Sequence, residues 1–281
     1  VKDLLLLYWP TILAAIATGT TLSVVGALLV TRQAAVQTLA VSQSAGLGVS
    51  LGLLISEVFF PEGHIEHTTL PLFFGLAVSA GGFALTEYAA RHSHTQTVIY
   101  LSAFAFFWGL SQLLIGFFPV VESHAAALYF GDLVTLTEGE ILFFLSLASG
   151  ISIYLFCFWK ALSARAFLSA ILDEPLRLRS RMDLGFYGVS LALVCLSVQL
   201  LGLLFTLCAL FLPTAVYSFS RQVGVGQHLR KVAVSAGFSS GAGFLLSLAE
   251  PRLLTTPTIA VLLAILPILH VMLERALSRC K

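Results

Sequence analysis

Two histidines, His64 and His67, stand three positions apart in the segment EVFFPEGHIEHTTLP, with Glu66 between them and Glu62 just before. On a helix that spacing puts both imidazoles on one face. Imidazole and carboxylate together suit a divalent ion such as Zn²⁺ or Mn²⁺. His64, Glu66 and His67 are therefore a candidate metal-capture group, and a solvated polar loop is the alternative reading. A second group, Gln37, Ser42 and Gln43, lies in RQAAVQTLAVSQSAGLGVSLG, at the start of and inside an apolar run. Polar side chains within a membrane helix normally face protein or a water-filled path. These three mark a candidate path lining, with interhelical hydrogen bonding as the plainer alternative. Ala45, Gly46, Gly48 and Ser50 follow as a small-residue surface suited to close helix approach. A third group, Asp173, Glu174 and Pro175, interrupts KALSARAFLSAILDEPLRLRSRMD and leads into Arg177, Arg179 and Arg181. Asp173 can cap a short helix whose first turn holds Pro175. Such a helix would lie along a membrane and dock a partner, whereas an ordinary basic loop is the alternative.

The elements that must position these groups follow from composition. Of 281 residues, 58% are hydrophobic and only 10% charged, with mean hydropathy +0.96. Soluble domains carry about 25% charged residues, so the chain reads as an integral membrane protein. A net charge of +1 offers no basic face for nucleic acid, and the apolar content excludes disorder. Cys157, Cys195, Cys208 and Cys280 form no CxxC pair, which argues against a disulfide framework or a cysteine zinc site.

A membrane-spanning helix needs about 20 mostly apolar residues. Candidates fall at 5–30, 36–58, 71–89, 97–118, 140–159, 185–201, 203–219, 232–249 and 257–273. The first lacks a basic region before it and a cleavage pattern after it, and reads as a span rather than a removable signal. The sixth and seventh form one apolar run, which as a single helix would reach about 52 Å across a hydrocarbon core of about 30 Å. A break near Gln199–Gly202 divides it, leaving eight or nine spans. With nine spans and the N-terminus outside, every Lys and Arg except Lys2 and Arg252 falls on the cytoplasmic side, as the positive-inside rule requires. Outer segments carry most of the acids, among them Glu57, Glu62, Glu66, Glu122, Asp132, Glu138 and Glu140. His124 and Glu122 share that side. His270 falls near the inner end of the last span, where a packing role is expected. Pro213 is expected to kink the seventh span.

No Gly-Lys pair occurs, so no P-loop is present, and no enzymatic chemistry or cofactor is expected of the chain. The fourth, sixth and seventh spans hold no charge. An ion-gradient carrier normally needs membrane carboxylates, so their scarcity favours an energy-supplying partner. A stand-alone secondary carrier or channel, and a purely structural membrane subunit, are the rival classes.

Several segments together resemble the metal-type permeases of ABC importers, the zinc and manganese family called ABC-3. QLLGLLFTLCALFLPTAVYSFSR, residues 199–221, resembles a family segment in which Gly202, Pro213, Ala215 and Arg221 take the places of glycine, proline, alanine and a basic end. YFGDLVTLTEGE, residues 129–140, resembles the segment after the fourth span, and LDEPL, residues 172–176, falls where the family has its docking element. The resemblance covers nearly the whole chain. It implies one transmembrane domain over 1–281, a polytopic all-α bundle of the type II-like importer permease. It implies two such subunits, as a homo- or heterodimer, over two cytoplasmic ATPase subunits in a bacterial inner membrane. An extracytoplasmic solute-binding protein would deliver the metal, and membrane lipid would surround the chain. Asp173, Glu174, Pro175 and Arg177 would couple to the ATPase, and Gln37, Ser42 and Gln43 would line the path. One departure stands out. The family has an aspartate and, four residues later, a histidine in the second span, where this chain has Leu39 and Gln43. Three explanations remain open: a degenerate half of a heteromeric permease, a chelated cargo, or metal capture by His64, Glu66 and His67 instead.

Overall fold

The computed structural model describes residues 2–59, 66–91, 95–131, 138–172, 181–218, 224–250 and 252–279. Among them are eleven helices and no strand. They are α1 (Lys2–Thr31), α2 (Ala35–Phe59), α3 (Glu66–Arg91), α4 (Gln96–Phe117), α5 (Pro119–Phe130), α6 (Glu138–Cys157), α7 (Trp159–Leu172), α8 (Arg181–Leu201), α9 (Leu203–Ser218), α10 (Val225–Ala249) and α11 (Thr255–Arg279). Eight are long and apolar enough to cross a membrane, and α9 is a shorter apolar helix of 16 residues. The expected all-α polytopic bundle is therefore the observed one. Two helices, α5 and α7, were not expected as such; each has too few residues to register as a span.

The helices pack as two compact units, one of 1–33, 132–176 and 204–281, the other of 34–131 and 177–203. In the first, α1 is the axis. Gly19 lies against Phe205 and Gly26 against the backbone of Leu210, while the Ser23 hydroxyl donates to the Ala209 carbonyl at 2.5 Å. Both chains advance in the same sense, so α9 runs parallel to α1. Gly237 meets Thr20 and Gly241 meets Ile16, so α10 runs antiparallel to α1. Gly243 against Ile259, the Ser247–Thr255 hydrogen bond at 3.2 Å and the Lys231–Glu274 ion pair at 2.7 Å make α11 antiparallel to α10. The alternation is complete only if α9 crosses. At 16 residues it would span about 24 Å, and it is shorter than the eight membrane-length helices.

At one end of this unit stand Arg32, Arg165, Arg230, Lys231 and Arg275; at the other stand Glu138, Glu140 and Glu250. That segregation is the one expected for an inward basic end. Arg32, at the end of α1, is not a solvated charge. It is fully buried, and its guanidinium donates to the Leu162 carbonyl of α7 at 3.4 Å. Burial of a guanidinium is tolerated only with hydrogen-bonding partners, and here it ties the end of α1 to α7.

In the second unit α2 packs on α3. A Cβ at Gly48 would strike the backbone of Phe74 and Gly75, and one at Gly52 would strike Pro71. Lipid tails give helices no hydrophobic reason to associate, so backbone approach over small residues supplies the contact. Gly75 against Cys195, and Phe83 against Tyr187 at 5.5 Å between ring centroids, run α8 antiparallel to α3. The break expected near 199–202 is present: Gly202 has φ +85, and Gly131 at the end of α5 has φ +66. The two glycines touch backbone to backbone, where a Cβ on either would overlap the other's neighbours. Two segments singled out separately in the sequence thus meet at one point.

Candidate functional site

The second helix is buried along nearly its whole length, including Gln37, Thr38, Ser42, Gln43, Ser44 and Ser50. An apolar solvent gives no partner to an exposed hydroxyl or amide, so each polar group must be satisfied within the protein or by water. The hydroxyls satisfy themselves on their own helix. Thr38 donates to the Ala34 carbonyl at 2.8 Å, Ser42 to Leu39 at 2.8 Å, Ser44 to Val41 at 2.8 Å and Ser50 to Gly46 at 3.0 Å. Such back-bonding is the usual fate of serine and threonine inside a helix. The Ser42 proton is therefore already committed.

The two glutamines differ from the hydroxyls and from each other. Gln37 Nε2 reaches Glu87 Oε2 of α3 at 3.5 Å, and Glu87 Oε1 accepts from Arg91 Nε at 3.1 Å. Glu87 is mostly buried, its side chain 14% exposed. Sequence reasoning missed Glu87 because its spacing to Arg91 reads as a solvated pair on a helix surface. Gln43 is 5% exposed and has no hydrogen-bond partner among the described residues. An amide has two donors and an acceptor carbonyl, and the Gln43 amide is not among the fully buried polar atoms left without a partner, so it keeps a small accessible opening.

Helical periodicity places Leu39, Gln43, Gly46 and Ser50 on the side of α2 away from Gly48 and Gly52, which pack on α3. Beside Gly46 a Cβ would meet nothing within 4 Å. Of the small residues expected to form a helix-approach surface, Gly48 does so, and Gly46 instead borders open space. Half-buried Leu39, the unpartnered Gln43 amide and the gap at Gly46 therefore form one continuous strip of the helix. Leu39 offers no donor atom, and Gln43 offers a neutral carbonyl that suits hydrated or ligand-wrapped cargo better than a bare soft ion.

The other candidates divide. His64 lies outside the described residues, and Glu66 and His67 open α3 in backbone only. Asp173, Glu174, Pro175 and Arg177 also lie outside the described residues, so the cap expected at Asp173 is untested; the helix that is present, α7, ends just before them at Leu172. Among the described residues no group of three or more His, Cys, Asp or Glu is placed to hold a metal ion. His270 has the packing role expected, with its Nδ1 2.9 Å from the Tyr217 hydroxyl of α9.

Comparison with known proteins places this arrangement. The model of the ABC 3 transport family matches residues 6–274. Among solved structures the chain is similar to PsaBC from Streptococcus pneumoniae in complex with Fab, at 14% identity and TM-score 0.70 over 93% of this chain and 89% of that one. It is also similar to an inward-facing conformation of a metal-chelate type ABC transporter, at 19% identity and TM-score 0.60 over 95% of this chain and 85% of that one. At these identities the likeness shows a shared fold. No curated protein matches the chain.

Proposed function

The chain belongs to the ABC 3 transport family, a multi-pass permease of an ABC transporter, and from that premise we propose that it imports a divalent transition metal, zinc or manganese, by alternating access driven by ATP on separate cytoplasmic subunits. The observation that supports this reading is the strip on α2, where the Gln43 amide, with no hydrogen bond among the described residues, adjoins open space at the middle of the helix. Gln43 and Gln37 would line the path, with Ser42 contributing its oxygen as an acceptor. Glu87, beside Gln37 toward the basic end of α3, would meet a cation on its way inward. Asp173, Glu174, Pro175 and Arg177 would receive the ATPase motion, and α7 would relay it to α1 through Arg32. His64, Glu66 and His67 would collect the metal at the outer face, where a solute-binding protein delivers it. The setting would be a bacterial cytoplasmic membrane, the assembly a dimer of permease domains, and the chemistry of hydrolysis would belong to the partner alone.

Leu39 and Gln43 favour a second reading of the cargo. A leucine and an amide cannot strip a bare ion of its ligands, whereas they can line a passage for a chelate; a partner permease that keeps an aspartate–histidine pair would serve the bare ion instead. Transport by the purified complex in proteoliposomes separates these cases, with free ⁶⁵Zn²⁺ or ⁵⁴Mn²⁺ compared with the same metal chelated. ATP-dependent uptake that needs a co-purifying ATPase supports the permease role. Uptake by the chain alone, without ATP, would make it a stand-alone carrier and overturn the proposal. Charge reversal of Asp173 and Glu174 is expected to leave insertion intact while ATP hydrolysis no longer drives uptake; unchanged coupling would remove the docking role.

A further inference from the structure

At the basic end of the first unit, α9, α10 and α11 line an open cavity of about 570 Å³. Its polar rim includes Gln227, Arg230 and Lys231 from α10, and His270 and Glu274 from α11. Lys231 is neutralised, since its Nζ donates to both Glu274 oxygens at 2.7 and 2.9 Å. His270 is held by Tyr217 at 2.9 Å. Arg230 is exposed and has no hydrogen bond or ion pair among the described residues. Among the described residues Arg230 is thus the rim cation without a counter-ion, and a guanidinium fork matches phosphate oxygens.

The rest of the lining is apolar. Val234 and Phe238 continue the same face of α10 from Arg230 at helical spacing and are 66% and 68% exposed. From Arg230 to Phe238 the helix rises about 12 Å, away from the basic end and into the span. Leu266 closes that side from α11. A free phosphate or an acidic protein segment would fill the rim and leave Phe238 and Val234 bare, whereas a glycerophospholipid matches both halves. Basic pockets between helices on the cytoplasmic side are suited to anionic headgroups.

We propose that this cavity binds one anionic phospholipid of the cytoplasmic leaflet, its phosphate on Arg230 and an acyl chain along Val234 and Phe238. The test is native mass spectrometry of the purified full-length chain with whatever subunits accompany it. It is titrated with phosphatidylglycerol, with phosphatidylcholine and, separately, with inorganic phosphate. Phosphatidylglycerol is expected to bind about tenfold more tightly than phosphatidylcholine, and Arg230→Gln to abolish that preference while Arg230→Lys retains part of it. Phe238→Ala is expected to weaken both lipids alike, and inorganic phosphate at millimolar concentration to displace neither. Equal affinity for the two lipids in the native chain would overturn the proposal. So would displacement by phosphate alone, which would make the site a soluble-anion site. Loss of a protein subunit instead of lipid from Arg230→Gln would assign the rim to a partner and equally overturn it. Arg230→Gln must elute as the native chain does; if it does not, the Arg230→Lys and Phe238→Ala titrations decide, and unchanged affinities in both would reject the site.

Discussion

Alanine at Gly26 and alanine at Gly46 are the same chemical change in two membrane helices, and the structure assigns them opposite signs. At Gly26 a Cβ would overlap the Leu210 carbonyl oxygen and lie 2.7 Å from its carbon and 2.9 Å from its Cα. These are backbone atoms of α9, so no side-chain rotation relieves the overlap. The helices must part by about 1 Å, enough to forfeit a quarter to a half of the dispersion energy along the seam. Overpacking of this kind costs about 1–3 kcal/mol, and a backbone obstacle puts it near the top of that range. Alanine recovers about 1 kcal/mol of helix propensity over glycine. The net loss is about 1–2 kcal/mol, or a fall in Tm of about 2–8 °C by the slope for domains approaching this size. At Gly46 the methyl enters open space, only the propensity gain remains, and Tm should rise by about 2–4 °C. Thermal unfolding of the detergent-solubilised proteins, followed by the loss of the monodisperse size-exclusion peak, measures both. A Gly26→Ala protein melting at or above the native chain would refute the reasoning, as would a Gly46→Ala protein that falls as far as Gly26→Ala.

Other outcomes follow from single contacts. Arg32→Ala removes a buried guanidinium and its bond to the Leu162 carbonyl, so a loss of about 1–3 kcal/mol is expected; Arg32→Lys should recover little of it, because an ammonium lacks the guanidinium fork, and melting curves of the two variants compare them. Restoring the family's pair by Leu39→Asp with Gln43→His should create divalent-metal affinity that the native strip lacks, read by isothermal titration with Zn²⁺; heat unchanged from the native chain would place Leu39 and Gln43 off the path. Tyr217→Phe removes the hydrogen bond to His270 Nδ1 and should cost about 1 kcal/mol, seen as a small fall in Tm with uptake retained.

The spans were legible because hydropathy over a membrane thickness is a strong signal, and the division of the long run at Gly202 followed from length alone. Whether α9 crosses was not legible, because 16 residues is marginal for a span, although its course is parallel to α1. Amphipathic length gave no warning of α5 and α7, since short helices at a membrane edge carry no long apolar run. In the α2 strip, residue type singled out Gln43 as a candidate but could not distinguish it from Ser42, whose proton is spent on its own helix. Hydrogen-bond geometry separates the two, and geometry is what a sequence omits. Glu87 was hidden for the converse reason: its neighbour four residues on explained it too easily.

The meeting of Gly131 and Gly202 has a consequence for how such chains diverge. Each position is closed to any side chain by the other's main chain, and each holds a left-handed turn that penalises a Cβ on its own account. Substituting one therefore cannot be rescued by substituting the second, so the pair has no compensatory route. Drift can rewrite the apolar residues around them freely, while these two letters, seventy-odd places apart in the text, should vanish only together and only with the architecture itself.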